Sequence, residues 1–195
     1  MIALIDYGAG NLKSVANALD ELQTEYIITN KVDEINSADK IIFPGVGEAA
    51  SAMNRLIDKN IAEVIKSTSK PLLGICLGMQ LLATFSEERN TKCLDIIQSI
   101  VKQFDKSKVK VPHMGWNKVE FNYRNKLFTS VESGEYFYFA NSYYLPITEH
   151  TIASTNYDVY FSAGINKNNF YGVQFHPEKS GKAGLQILMN FIELC

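Results

Sequence analysis

Short apolar runs alternate with helical patterns through the first half of the chain, which predicts βα units and a largely parallel sheet. Ile2–Asp6 reads as a buried strand ended by the turn residues Gly8 and Gly10. Asn11 is placed to cap a helix on which Leu12, Val15, Ala16, Leu19 and Leu22 recur at helical spacing. Tyr26–Thr29 and Ile41–Phe43 follow as strands, the second closed by Pro44-Gly45-Val46-Gly47, with a helix over Ala49–Ile57 after it. Leu72–Ile75 is a strand that runs straight into Cys76, and Leu77, Gln80, Leu81 and Phe85 then carry a helix.

The second half changes character. Trp116–Phe121, Glu135–Asn141, Ile152–Ser154, Phe161–Ile165 and Tyr171–Phe175 are period-two or β-rich stretches that predict antiparallel or mixed strands. Ala183–Glu193 closes the chain as an amphipathic helix with Leu185, Leu188, Met189 and Ile192 on one face. With no repeat or linker, the expectation is one α/β domain over residues 1–195, with a mixed, mostly parallel central sheet, flanking helices and a strand-rich C-terminal half.

Composition narrows the function. At 46% hydrophobic and 21% charged residues, the chain has the apolar material for a core, which excludes disorder as its main state. A net charge of -2 shows no basic surplus for nucleic acid or an anionic membrane. No run approaches the roughly 18 apolar residues of a membrane span, and Met1–Ile5 meets Asp6 too soon for a secretory leader, so a cytoplasmic protein is expected. Cys76, Cys93 and Cys195 are odd in number and lack metal-ligand spacing, so neither a disulfide framework, a metal site nor a cofactor is expected.

Gly74-Ile75-Cys76-Leu77-Gly78 has the G-x-nucleophile-x-G form of a nucleophile elbow, with cysteine as the nucleophile. A strained strand-to-helix turn pushes such a residue out above the sheet, and side chains at the flanking glycines would collide with neighbouring backbone. The helix that follows would aim its N-terminus at the sulfur and favour the thiolate. Read alone, the pentapeptide fits a small buried cysteine beside two turn glycines equally well.

Tyr171-Gly172-Val173-Gln174-Phe175-His176-Pro177-Glu178 adds a histidine at a strand end, two residues before a carboxylate. A cysteine nucleophile needs a base, and the base needs an orienting acceptor, roles that His176 and Glu178 can fill. Pro177 biases His176 toward extended backbone, so both side chains can leave the strand end on one side. Alone, such a histidine is more often structural. The Pro44–Gly47 turn can in turn present backbone N–H groups to an oxyanion, together with the N–H of Leu77. By itself it reads as an ordinary strand-to-helix loop.

In combination, Gly74-Ile75-Cys76-Leu77-Gly78-Met79-Gln80, Pro44-Gly45-Val46-Gly47 and His176-Pro177-Glu178 resemble the class I (triad) glutamine amidotransferases, which release ammonia from glutamine through a glutamyl thioester. Asp6-Tyr7-Gly8-Ala9-Gly10-Asn11-Leu12, Val111-Pro112-His113-Met114-Gly115-Trp116-Asn117 and the ending Gln174–Gly181 resemble one family within that class, the glutaminase subunit of imidazole glycerol phosphate synthase. The resemblance runs from Met1 to the C-terminus. It implies Cys76 as nucleophile, His176 as base and then acid, and Glu178 as its orienter. It implies an oxyanion site at Gly45, Val46, Gly47 and Leu77, and a glutamine pocket at Gln80, Glu88, Ser142 and Tyr143. It further implies a heterodimer with a (β/α)8 cyclase barrel that receives the ammonia, with Asn11, Trp116, Asn117, Tyr138 and Lys179 at the interface. The sequence departs from the family at Asn141-Ser142-Tyr143, where His-Ser-Tyr is usual, so no titrating group stands at that position.

Other functions remain open on the sequence. A related glutaminase feeding a barrel that aminates another substrate, such as a surface-sugar precursor, would carry the same residues. A non-catalytic partner-binding module would use Cys76 structurally, and a stand-alone amidase would turn over without a partner.

Overall fold

A computed structural model describes residues 1–8, 11–121 and 125–195. Ala9 and Gly10 of the opening motif, with the turn assigned to Gly10, lie outside the described residues. In chain order the elements are β1 (Ile2–Ile5), α1 (Leu12–Glu21), β2 (Tyr26–Thr29), α2 (Val32–Ser37), β3 (Lys40–Gly45), α3 (Ala49–Asp58), α4 (Ile61–Ser67), β4 (Leu72–Cys76) and α5 (Leu77–Gln80). Then come β5 (Ala83–Ser86), β6 (Thr91–Lys92), β7 (Ile97–Gln103), β8 (His113–Phe121), β9 (Glu135–Asn141), β10 (Tyr143–Tyr144), β11 (Thr151–Tyr157), β12 (Val159–Lys167), β13 (Phe170–Val173) and α6 (Gly181–Leu194).

Among the described residues, nine strands form one sheet in the order β2-β1-β3-β4-β13-β12-β11-β8-β9. From β2 to β13 the pairing is parallel, and beyond β13 it is antiparallel. A smaller sheet, β10-β7-β5-β6, packs beside it. The parallel strands are apolar on both faces, as helix-covered strands must be. On β1, Ala3 and Ile5 join Phe43, Ala52, Leu56 and Ile65 in one core, while Ile2 and Leu4 join Val15, Leu19 and Ile187 in the other.

The structure differs from the sequence expectations in three places. The helix expected from Leu77 through Phe85 is a single turn, Leu77–Gln80, and Phe85 lies on β5. Thr84 and Phe85 favour extended backbone, and the parallel ladder to β7 claims the segment. The helices α2 and α4, of 6 and 7 residues, were not expected, since each is under two turns and too brief to show a helical period, and neither were the strands β6, β7 and β10 of the smaller sheet. On α6 the buried face is Gly184, Ile187, Leu188 and Phe191, rotated from the expected stripe, which shares only Leu188. Ile187, Leu188 and Phe191 enter the core on this face, and the buried Asn190 is satisfied there, its amide donating to the Leu127 carbonyl at 3.0 Å and the Thr129 carbonyl at 2.6 Å. No helix among the described residues is long and apolar enough to cross a membrane, and among them no cluster of His, Cys, Asp and Glu could hold a metal ion.

Candidate active site

The C-terminal ends of β3, β4 and β13 meet at one edge of the parallel half, because Gly45 pairs with Cys76 and Val173 pairs with Ile75. Cys76 ends β4 with φ 53 and ψ -108, a conformation that an L-residue holds only when its surroundings enforce it. Both flanking glycines are required by close approach. A Cβ on Gly78 would lie 1.9 Å from the Phe43 carbonyl oxygen, and one on Gly74 would lie 2.8 Å from the Gly78 carbonyl oxygen. The turn therefore has the strained geometry read from the pentapeptide. Because α5 is one turn long, the helix dipole behind the sulfur is smaller than a helix through Phe85 would supply.

His176 follows β13 in extended conformation, and Glu178 sits on the 3-10 turn Pro177–Lys179. The His176 backbone is clamped: its N–H donates to the Tyr138 carbonyl at 2.9 Å, and its carbonyl accepts from Ser180 Oγ at 2.6 Å. Its Nδ1 lies 2.8 Å from Glu178 Oε1, with both side chains at most 3% exposed. Burial pulls the imidazole pKa down, but hydrogen bonding to Cys76 and Glu178 outweighs it and pushes the value up to about 10. Cys76 is thus brought to His176 and Glu178, which lie 100 and 102 residues further along the chain, with His176 favoured as the cation.

A cavity of about 140 Å3 opens on the sulfur. Val46, Gly47 and Leu77 line it beside Cys76, and Gln80, Glu88, Ser142 and Tyr143 line the rest with Asn141. Gly45 stands one residue back from it, beside Asn11, His176 and Glu178. Glu88 accepts the Ala49 N–H at 2.7 Å, and burial, then the nearby Glu48 charge, raise its pKa against that hydrogen bond. Asn141 is buried, and its Nδ2 donates to the Tyr143 carbonyl at 2.9 Å. That bond holds the strand-end turn. Its Oδ1 has no partner among the described residues.

Gln174 is the residue that the sequence reading passed over. Its side chain is fully buried, with Oε1 2.9 Å from Gln80 Nε2 and Nε2 3.6 Å from Cys76 Sγ. Its place two residues before His176, in the stretch Tyr171–Phe175 expected as a strand, is the signal that could have found it.

The expected interface residues separate into groups. Trp116, 55% exposed, pairs with Tyr138 across β8 and β9, ring centroids 6.1 Å apart, and Lys179 Nζ lies 5.9 Å from the Tyr138 centroid. Asn117 is not part of this patch: alternation along β8 turns it to the other face, where Nδ2 donates to the Asn156 carbonyl at 2.9 Å. Asn11 caps α1, its Oδ1 accepting the Ser14 N–H, and lies beside the Pro44–Val46 turn.

A strained cysteine turn, a buried histidine–carboxylate pair and this α/β topology agree with the comparison with known families. The family model of class-I glutamine amidotransferases matches residues 3–194, and the chain belongs to that family. Among curated proteins it is similar to the imidazole glycerol phosphate synthase subunit HisH of Bacteroides fragilis strain YCH46, 49% identical over 99% of each chain. It is also similar to the subunit HisH of Mannheimia succiniciproducens, 46% identical over 97% of this chain and 98% of that one. In fold it resembles a solved glutamine amidotransferase (TM-score 0.77, 16% identity, 100% and 98% covered) and PurLQS from Thermotoga maritima (TM-score 0.71, 20% identity, 98% and 96% covered).

Proposed function

We propose that this chain is the glutaminase subunit of an imidazole glycerol phosphate synthase, acting in the cytoplasm in histidine biosynthesis. It hydrolyses glutamine to glutamate and ammonia and delivers the ammonia to a separate cyclase subunit built as a (β/α)8 barrel. The observation that carries the chemistry is the His176–Glu178 pair, buried and 2.8 Å apart, behind a cysteine in a strained elbow.

In this reading Cys76 Sγ attacks the side-chain amide carbon of glutamine held among Gln80, Glu88, Ser142 and Tyr143. The oxyanion is met by the N–H of Leu77 and one from the Gly45–Gly47 turn. His176 gives its proton to the departing nitrogen as the C–N bond breaks, leaving a thioester and ammonia. It then takes a proton from water, which attacks the thioester carbon, and the C–S bond breaks to release glutamate. Glu178 keeps the imidazole oriented and cationic when required. Trp116, Tyr138 and Lys179 form the face that docks on the barrel.

Glutamate release by the purified chain, alone and with the cyclase subunit and its ligand, tests the reading. Turnover should be low alone, rise by orders of magnitude with the loaded partner, and vanish in Cys76→Ala while the fold is kept. Comparable losses on replacing Cys93 or Cys195, or full turnover without a partner, would reject it.

A further inference from the structure

Gln80 and Gln174 are both buried, at 6% and 0% exposure, and each is a primary amide whose two ends do opposite things. A backbone carbonyl settles which end faces where. Gln80 lies 2.8 Å from the Tyr143 carbonyl oxygen, which only accepts, so the Gln80 nitrogen must face it. That same nitrogen lies 2.9 Å from the Gln174 amide, which must therefore present Oε1. The Gln174 nitrogen is then left pointing at Cys76 Sγ, 3.6 Å away. One acceptor-only carbonyl on the pocket wall thus orients two amides in series and ends at the sulfur. Both donors of Gln80 are committed, which leaves its Oε1 as the atom it can offer to a molecule in the cavity.

We infer that Gln174 is a further catalytic residue, whose side-chain N–H donates to Cys76 Sγ and favours the thiolate that attacks the substrate. The inference rests on Cys76 being the nucleophile, as in the proposed function. A hydrogen bond to an anion is stronger than one to its neutral form, so a fixed donor shifts the balance toward the anion. Full burial of Gln174 means that no water takes over the contact when the amide is removed. The other titratable groups around the sulfur are His176 and Glu178, Tyr7 after β1, and Glu88 and Tyr143 across the cavity. The tests alter none of them.

The experiment is the pH dependence of iodoacetamide alkylation at Cys76, followed by mass spectrometry of the peptide that carries it. The parent is compared with Gln174→Met, which removes both amide ends, and Gln174→Asn, which keeps an amide but draws it back by one methylene. Cys93, whose thiol burial pushes up to about 12, is an internal reference that should not respond. In each folded variant the alkylation midpoint at Cys76 should move up by about one pH unit, a tenfold loss of reactive form at a fixed lower pH. A folded variant with the parent's midpoint overturns the inference, and if methionine impairs folding the asparagine variant decides. The readout needs neither glutamine nor a partner, so it stands or falls separately from glutamate release.

Discussion

His176 and His113 are almost equally buried, at 3% and 4% exposure, yet their two regions drive them in opposite directions. At the ends of the parallel strands His176 is held between Glu178 and Cys76, and its pKa rises to about 10. Inside the β8–β9 hairpin region His113 is stacked between Phe139 and Tyr157, ring centroids 5.0 and 3.9 Å away, and burial alone lowers its pKa to about 4. Its Nδ1 has no hydrogen-bond partner among the described residues. Burial by itself says little about a histidine's role. What the ring faces decides whether it carries a proton or serves as a flat aromatic.

The most severe way to break this contrast is to remove the charge beside His176. Glu178→Gln keeps the shape but not the carboxylate, so partner-stimulated glutamate release should fall by about a hundredfold or more. A variant as active as the parent would mean that the pair is structural.

On the outer face of the same hairpin, Trp116→Ala should weaken association with the cyclase subunit by about tenfold or more in titration calorimetry. An unchanged affinity would place the partner elsewhere.

The smallest effect sharpens the comparison through pH. His176 has a raised folded pKa, so its stability contribution is complete below about 6.5 and is lost as pH rises toward about 10. His113 has a lowered one, so its contribution is complete above about 6.5 and is lost as pH falls toward about 4. Replacing His113 by Phe should remove about 0.7 kcal/mol of the loss in stability between pH 7 and pH 6 in denaturant titrations and leave the alkaline side unchanged. An unaltered acid side would mean that His113 is not held neutral.

Much of the site was legible because its chemistry depends on local spacing. The two glycines around Cys76, the proline between His176 and Glu178 and the turn after β3 are constraints on neighbouring backbone, and neighbouring backbone is what a sequence displays. Trp116 and Tyr138 could be suspected from the motif they resemble, but their contact depends on the β8–β9 register, in which they are direct partners. Asn117 shows the limit: adjacent in sequence to Trp116, it faces the other way because strand side chains alternate. Gln174 was passed over because its role needs Gln80 and Cys76, 94 and 98 residues away.

By itself, then, the sequence determined the four strands of the first half, their apolar faces and the elbow around Cys76, since periodicity and steric exclusion act over a few residues. Tertiary structure alone decided the rest. Pairing with β7 turned the segment around Phe85 from the expected helix into a strand, carbonyls at Leu127 and Thr129 gave the buried Asn190 its partners on α6, and one backbone carbonyl at Tyr143 oriented a chain of amides to the sulfur. In each case a group from a distant part of the chain supplies the partner for a polar group that water would otherwise satisfy, and such pairings exist only once the chain has folded.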